Sequence, residues 1–515
     1  MDATTTYDLI ILGSGAGGGT LLHELAPTGK RILVIERGGY LPREKDNWDS
    51  FAVFRDNKYK AEETWLDREG RPFKPEIHYY VGGNTKLYGA ALLRFHERDF
   101  GELRHVDGIS PAWPIDYRDL APYYARAEAL YAVHGQRGAD PTEPEGLPPY
   151  PHPPVSHEPR IAELDEDLRR AGLRPFPLPI GIMLDEARPE RSPCIRCDSC
   201  DGYPCMIHAK AETEVCCVRP ALQHPNVTLM THTRALAVLT GPSGREVTGV
   251  LVEREGRREE YRADVLVVAC GAINSAALLL RSRSAAHPNG LANGSDLVGR
   301  HYMCHNNSAF VSISNRPNPT RFQKTLALND WYLGADDFDF PLGHVQTMGK
   351  ADAAKFGVAA PFWLPQLPLR QMAAHSLDLW VTSEDLPRRE NRVALAADGT
   401  IRLEYVPNNL EAHDRLNARL KRTLRQADRG RSRASFTLSL RKKIPIHGTT
   451  HQCGTLRFGT DPATSVLDVN CRAHEVDNLY VVDSSFFPSS AAMNPALTIF
   501  ANAIRVADHL RELLG

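Results

Sequence analysis

The chain lacks a bias of charge. Lys and Arg total 61 against 63 Asp and Glu in 515 residues, a formal net charge of −2. Neither nucleic acid nor an anionic membrane surface is therefore expected as a partner. Long apolar runs are missing too. The opening stretch "MDATTTYDLIILGSG" has no basic leader, and its short apolar run passes straight into a glycine loop, so it reads as neither a signal peptide nor a membrane span. A reducing cytoplasm is the default expectation. Ten cysteines, unevenly spaced, do not form the disulfide framework of a small secreted domain. Internal repeats and long low-complexity tracts are also lacking. The length exceeds one comfortable core and predicts two domains, or one large interleaved pair.

What is present begins at residue 7. "YDLIIL" (7–12) is a short apolar run that ends at Gly13, and "GSGAGGGTLLHELA" then places glycines at 13, 15 and 18 before turning helical. Gly13 permits a tight turn, Gly15 lets backbone approach a pyrophosphate, and Gly18 allows close packing of helix on strand. The helix start would present free N–H groups to phosphate oxygens. "KRILVIERG" supplies a second strand ending at Glu36, about twenty residues on, where a carboxylate can accept from ribose hydroxyls. "HYYVGGNTKLYGAALLRF" (78–95) offers paired glycines at 82 and 83 and small residues at 89 to 91, so its backbone can pass close to something flat. "RADVLVVACGAINSAALLLRS" (262–282) reads as strand, turn and helix, and "NLYVVDSSFF" (478–487) as a strand. From Pro495 a helix carries Leu497, Phe500, Ile504, Ala507, Leu510 and Leu514 on one stripe. Asn494 is a suitable N-cap and Pro495 a suitable first-turn residue, so a helix N-terminus with its partial positive charge is expected here.

These segments, in this order and ending with "HQCGT" (451–455) and "NP" (494–495), resemble the glucose–methanol–choline family of flavin oxidoreductases. The resemblance implies bound FAD and an α/β fold in which a Rossmann-like FAD domain (1–100, 205–305 and 447–515) is interleaved with a substrate domain on an antiparallel sheet (101–204 and 306–446). It further implies that His451 is the base and that Asn494 orients the substrate hydroxyl. Gly83, Asn84, Gly89 and Ala90 would lie along the cofactor, the backbone of Ala235 would meet the adenine, and Asp483 would approach the ribityl and phosphate region. The helix start after Asn494, including Ala496, would face the flavin edge that gains negative charge. "GGNTKLYGA" lacks the histidine through which some relatives tether the flavin, so FAD is expected to be non-covalent. "GGNTKLYGAALLRF", "SEDLPRRENRV" and the "NP" ending are most similar to the sugar-oxidising branch, the pyranose 2-oxidases and bacterial glycoside 3-oxidases.

The expectation is therefore oxidation of a secondary hydroxyl of a sugar or glycoside to a ketone, with dioxygen, a quinone or a partner protein as electron acceptor. A primary or long-chain alcohol substrate is the alternative within the same fold. Electron transfer or metal binding through "CIRCDSCDGYPC" is another: Cys194, Cys197, Cys200 and Cys205 are spaced closely enough for zinc or an iron–sulfur cluster, or for thiols that simply pack, and no metal is assigned. His447 is read as supporting His451, and His78 and His208 as ordinary polar residues. The proline-rich stretch 139–160 should be extended surface chain, and short runs within 306–440 such as "LDLWVTSE" and "IRLEYV" should be strands of a sheet facing the flavin.

Overall fold

β-branched and large apolar residues at 6–12 make the strand Thr6–Leu12, in which Leu9 to Leu12 are buried. In the computed structural model, which describes residues 6–359, 365–431 and 437–515, this strand lies between Ile32–Ile35 and Arg257–Val268, parallel to both. Val227–Met230 extends the sheet beyond Ile32–Ile35, and Leu479–Val481 pairs in parallel with the end of Arg257–Val268. Helices cover these strands, which explains why they read as unbroken apolar runs rather than alternating ones. The twelve-residue strand Arg257–Val268 changes partners along its length: its first half pairs antiparallel with Val247–Arg254, which pairs in turn with Thr233–Thr240. The result is a seven-stranded sheet.

The helix Ala16–Leu25 packs against the C-terminal helix Ala496–Leu514, so the two ends of the chain form one layer. The predicted stripe on the C-terminal helix is buried from Leu497 to Leu510, as are Thr498, Ala501, Asn502 and Ala503. The helix Tyr117–Leu130, in a segment expected to serve the substrate side, packs on this same C-terminal helix. Tyr131 just beyond it stacks flat on Phe500, with ring centroids 3.7 Å apart.

A six-stranded antiparallel sheet runs in the order Thr437–Lys443, Asn306–Ser314, Ser376–Ser383, His344–Thr347, Leu326–Leu328 and Phe176–Pro177. The helix Leu410–Arg431 packs on the Asn306–Ser314 and Ser376–Ser383 strands through Ala412, Leu416, Leu420 and Leu424, spaced one helical turn apart. This helix corrects the expectation that 306–440 consists of short strands. "IRLEYV" is also displaced from the expected sheet: Ile401–Glu404 belongs to a separate four-stranded sheet with Arg392–Leu395, Trp65–Leu66 and Pro72–Phe73. "NLYVVDSSFF" is strand only at Leu479–Val481 and then tightens into the 3₁₀ turn Ser484–Phe486, because Asp483 caps that turn by accepting from Ser485 N at 2.9 Å. Residues 139–158 form neither helix nor strand beyond an isolated bridge at His152, and Pro159 then opens the helix Pro159–Arg170.

Candidate active site

The parallel strands all end on one side, and a deep cleft begins where they stop. Leu12 leads to Gly13, Ile35 to Glu36, Val268 to Cys270 and Gly271, and Val481 to Asp483; of these residues all but Val268 and Val481 line the cleft. Ligands of open parallel sheets bind at this edge, because the loops and helix starts there are free to meet them. Gly15, Gly83, Asn84 and Ala235 also line it, so seven of the expected cofactor residues share one cavity: Gly13, Gly15, Glu36, Gly83, Asn84, Ala235 and Asp483.

The helix Ala16–Leu25 starts with Gly15 at its N-cap and carries no acidic residue in its first turn, which leaves its N–H groups available to an anion. Gly83, at φ 56°, comes so close that a Cβ on it would lie 3.0 Å from the Cα of Gly15. The two glycine segments therefore form a cradle that a side chain would fill. Buried Glu36 holds them together. It accepts from Ser14 N at 3.0 Å, Ser14 Oγ at 2.6 Å and Gly38 N at 2.9 Å, while Gly82 N donates to Ser14 Oγ at 3.1 Å. Burial pushes the carboxyl of Glu36 up, and that of Asp483 likewise. Asp483 Oδ2 accepts from Gly271 N at 3.0 Å and from Ser275 Oγ, fixing the turn after the Arg257–Val268 strand. Gly18 does not line the cleft; a Cβ there would lie 2.0 Å from Gly13 O, so it serves the close helix-on-strand contact.

Sequence reasoning missed several walls of this cleft. His78, read as an ordinary polar residue, lines it, with Nδ1 2.8 Å from Tyr59 O. So do Tyr79 and Arg37, whose guanidinium lies 4.0 Å over the Tyr79 ring while its Nη2 reaches Glu63 at 2.7 Å. Arg234 and Arg281 add further positive charge. Only the neighbouring "HYY" and its distance from the glycine pair could have pointed to His78 and Tyr79.

His451 stands between two cleft residues, Thr450 and Gln452. Its ring meets that of His305, Nδ1 to Nδ1, at 3.0 Å. The contact follows from backbone pairing: Met303 and Cys453 exchange antiparallel hydrogen bonds of 3.0 and 2.9 Å, so residues two steps outward on each strand face one another. Burial holds the His451 ring well below the ordinary imidazole range, so it is unprotonated at neutral pH. His447 lies apart, exposed in the 3₁₀ turn Ile446–Gly448.

Asn494 is half-buried and is not the N-cap. The C-terminal helix begins at Ala496, and Pro495 takes the cap position with φ −79° and ψ −14°. The first helical hydrogen bond runs from Ile499 N to the carbonyl of Pro495 at 3.1 Å, which puts the boundary one residue later than an Asn494 cap would. Ala496 is not on the cleft wall, although Ile499 one turn further is. The turn that delivers Asn494 is tightly held: Trp113 Nε1 donates to Ser489 Oγ at 2.8 Å, Ala491 N to Glu384 Oε1 at 3.1 Å, and Ala492 N to Tyr332 Oη at 3.1 Å.

Gly89 and Ala90 do not line the cleft either. A Cβ on Gly89 would meet Lys324 Nζ at 1.9 Å and Asp201 Oδ1 at 2.1 Å, so this glycine makes room for an ion pair. Ala90 is buried among Ile180, Ile182, Cys200 and Phe322. Asp201 comes from the cysteine loop and pairs with Lys324 at 3.0 Å. That loop is organised by the buried ammonium of Lys210, which donates to the carbonyls of Tyr88, Cys200 and Tyr203 at 2.7 to 2.8 Å. A cation at its centre opposes a metal there, and among the described residues no group of three or more His, Cys, Asp or Glu side chains is placed to hold one. Cys194, Cys197, Cys200 and Cys205 are free thiols, with Cys194 pushed up by burial to about 11 and Cys200 to about 12.

Comparison with known proteins agrees with this architecture. The GMC oxidoreductase family matches over residues 79–307 with its N-terminal model and over 387–503 with its C-terminal model. A 6'''-hydroxyparomomycin C oxidase of Streptomyces lividus is 33% identical over 99% of this chain and 92% of its own. Paromamine 6'-oxidase of Streptomyces fradiae is 32% identical over 98% and 91%. In fold, the crystal structure of pyridoxine 4-oxidase from Mesorbium loti superposes with a TM-score of 0.68 at 18% identity, covering 98% of this chain and 99% of that one. A dinucleotide cleft at the ends of parallel strands, a substrate-side antiparallel sheet and one-third identity along nearly the whole chain lead to one conclusion: the chain belongs to the GMC oxidoreductases, flavoprotein enzymes that act on CH–OH groups.

Proposed function

We propose that this chain is an FAD-dependent enzyme that oxidises a hydroxyl of a sugar or glycoside, with His451 as base and Asn494 orienting the hydroxyl. The observation that carries the reading is His451 itself: an imidazole kept neutral, one residue from the cleft wall on either side. Its whole-length similarity to enzymes named for 6'''-hydroxyparomomycin C and paromamine supports amino-sugar glycosides as the first substrates to test. Those names carry a 6' and a 6''' position, which favours a 6-hydroxyl of an amino sugar over the secondary hydroxyl expected from sequence, and the product, aldehyde or ketone, distinguishes the two.

The cradle residues Gly13, Gly15 and Gly83, with Glu36 and Asp483, fit a dinucleotide, and FAD bound there would supply the hydride acceptor. The protein's own contribution is proton chemistry. A neutral imidazole near the substrate hydroxyl removes its proton as the C–H bond is broken, an effect of about 10²–10⁴ in rate. FAD is taken to be non-covalent: the Nδ1 of cleft-lining His78 is engaged by Tyr59 O, and "GGNTKLYGA" offers no histidine. Denaturing the holoprotein and filtering it should pass the yellow colour through the membrane.

The test is anaerobic mixing with free sugars, aminoglycosides and long-chain alcohols while flavin absorbance is followed, then admission of air. Bleaching by the glycosides and not by fatty alcohols is expected. Rapid recovery in air would mark dioxygen as acceptor; slow recovery would direct the search to quinones or a partner protein. His451→Ala should retain FAD and lose reduction by ~10²-fold or more. An undiminished rate in that variant would remove His451 as the base.

A further inference from the structure

His305 bridges His451 and the turn that leads to Asn494. Its Nδ1 meets Nδ1 of His451 at 3.0 Å, and its Nε2 meets the carbonyl of Ser490 at 2.9 Å, four residues before Asn494. A carbonyl oxygen can only accept, so Nε2 of His305 carries a proton. In the neutral ring Nδ1 is then a lone pair. The Nδ1 of His451 facing it must be the donor, which leaves the lone pair of His451 on Nε2.

His305 is not free to turn away from this task. It sits at φ 64°, a left-handed conformation that is strained for a residue with a side chain and persists only when its surroundings enforce it. The enforcement is visible. Asp385 accepts from the backbone N–H of both Cys304 and His305 at 2.9 Å, and is itself held by Tyr405 Oη at 2.9 Å. Pairing of Asn306 with Ser383 in the antiparallel sheet brings Asp385 to this position.

We propose that His305 is a positioning residue that fixes His451 in the tautomer with its proton on Nδ1, so that Nε2 is always the basic nitrogen, and that it couples the His451 loop to the turn bearing Asn494. The assignment rests on the reading of His451 as base. An imidazole left without this acceptor would divide between two tautomers and two ring orientations, and the wrong one presents an N–H where a lone pair is needed.

Three substitutions separate positioning from mere packing. In His305→Asn the amide oxygen takes the place of Nδ1 and can still accept from His451. In His305→Gln the amide reaches the place of Nε2, keeping the Ser490 contact and abandoning His451; His305→Leu keeps neither. With a substrate that bleaches the wild-type flavin, the limiting rate of anaerobic reduction should fall ~10²-fold in the Gln and Leu variants and by less than about tenfold in the Asn variant. Substrate affinity and flavin content should be unchanged. Gln and Leu variants within threefold of wild type, or an Asn variant as slow as Leu, would overturn the proposal. Nitrogen-15 shifts of the histidine rings in wild-type holoprotein, assigned to His451 by loss of its signals in His451→Gln, read the tautomer without turnover. A pyridine-type Nε2 supports the proposal and a pyridine-type Nδ1 rejects it, even if no tested sugar or alcohol bleaches the flavin.

Discussion

Single residues account for both the most legible and the least legible parts of the site. Gly18 was assigned to helix-on-strand packing from its spacing alone, and a Cβ there would sit 2.0 Å from the carbonyl of Gly13. Backbone cannot yield as a side-chain end can. Gly18→Ala is therefore expected to cost about 1–3 kcal/mol, read as a lowered thermal midpoint together with weaker retention of FAD. His451 could be singled out because its register with the family motif is short-range. His305 could not: its partner is 146 residues away, joined through a two-residue bridge that leaves no periodic trace in the sequence. Asn494 shows a third case, in which a locally sensible cap preference is not realised and the helix begins one residue later, with Pro495 at the cap position.

At the level of elements, what could be read depended on how densely apolar residues mark a period. The first strand, its glycine loop and the following helix were clear because buried positions are nearly continuous there. The helix Leu410–Arg431 escaped because Ala412, Leu416, Leu420 and Leu424 form a thin stripe in an otherwise charged segment, although their four-residue spacing was available to be counted. The C-terminal helix is the opposite extreme, buried on most sides. Phe500 is its principal anchor: it is fully buried and stacked on Tyr131, whose hydroxyl is 2.7 Å from Thr20 Oγ1 on the first helix. Phe500→Ala removes both the burial and the stack. A loss of about 3–5 kcal/mol is expected, measured as a drop in the chemical-denaturation midpoint with flavin fluorescence as the probe.

Over the whole molecule, buried histidines set the response to acid. His301, His344 and His413 lie in different parts of the fold, and burial pushes them down from 6.5 to about 3, about 4 and about 3. Below pH 6.5 the unfolded chain binds protons that the folded chain refuses, so stability is present above that value and declines as pH falls towards the folded values. Asp99 works in the other sense: burial raises it to about 6, so between there and its ordinary value the folded chain takes the proton first. Isolating one ring gives a clean measurement. His344, enclosed between Asn329 and Gln346, should account for about 2 kcal/mol of the stability lost between pH 7 and pH 5. The difference in unfolding free energy between wild type and His344→Gln should therefore narrow by that amount over this interval, and a constant difference would count against the assignment.

The order in which the seven-stranded sheet is completed also bears on how the protein is made. Leu479–Val481, which carries Asp483 into the cleft, and the helix that packs on Ala16–Leu25 are both synthesised long after the elements they join. At usual elongation rates the side of Leu266–Val268 that meets Leu479–Val481 stays unpaired for about 10–40 seconds. The cleft gains its Asp483 wall only once that strand has been made. A nascent chain stalled before Leu479 would offer chaperones an open edge at Leu266–Val268.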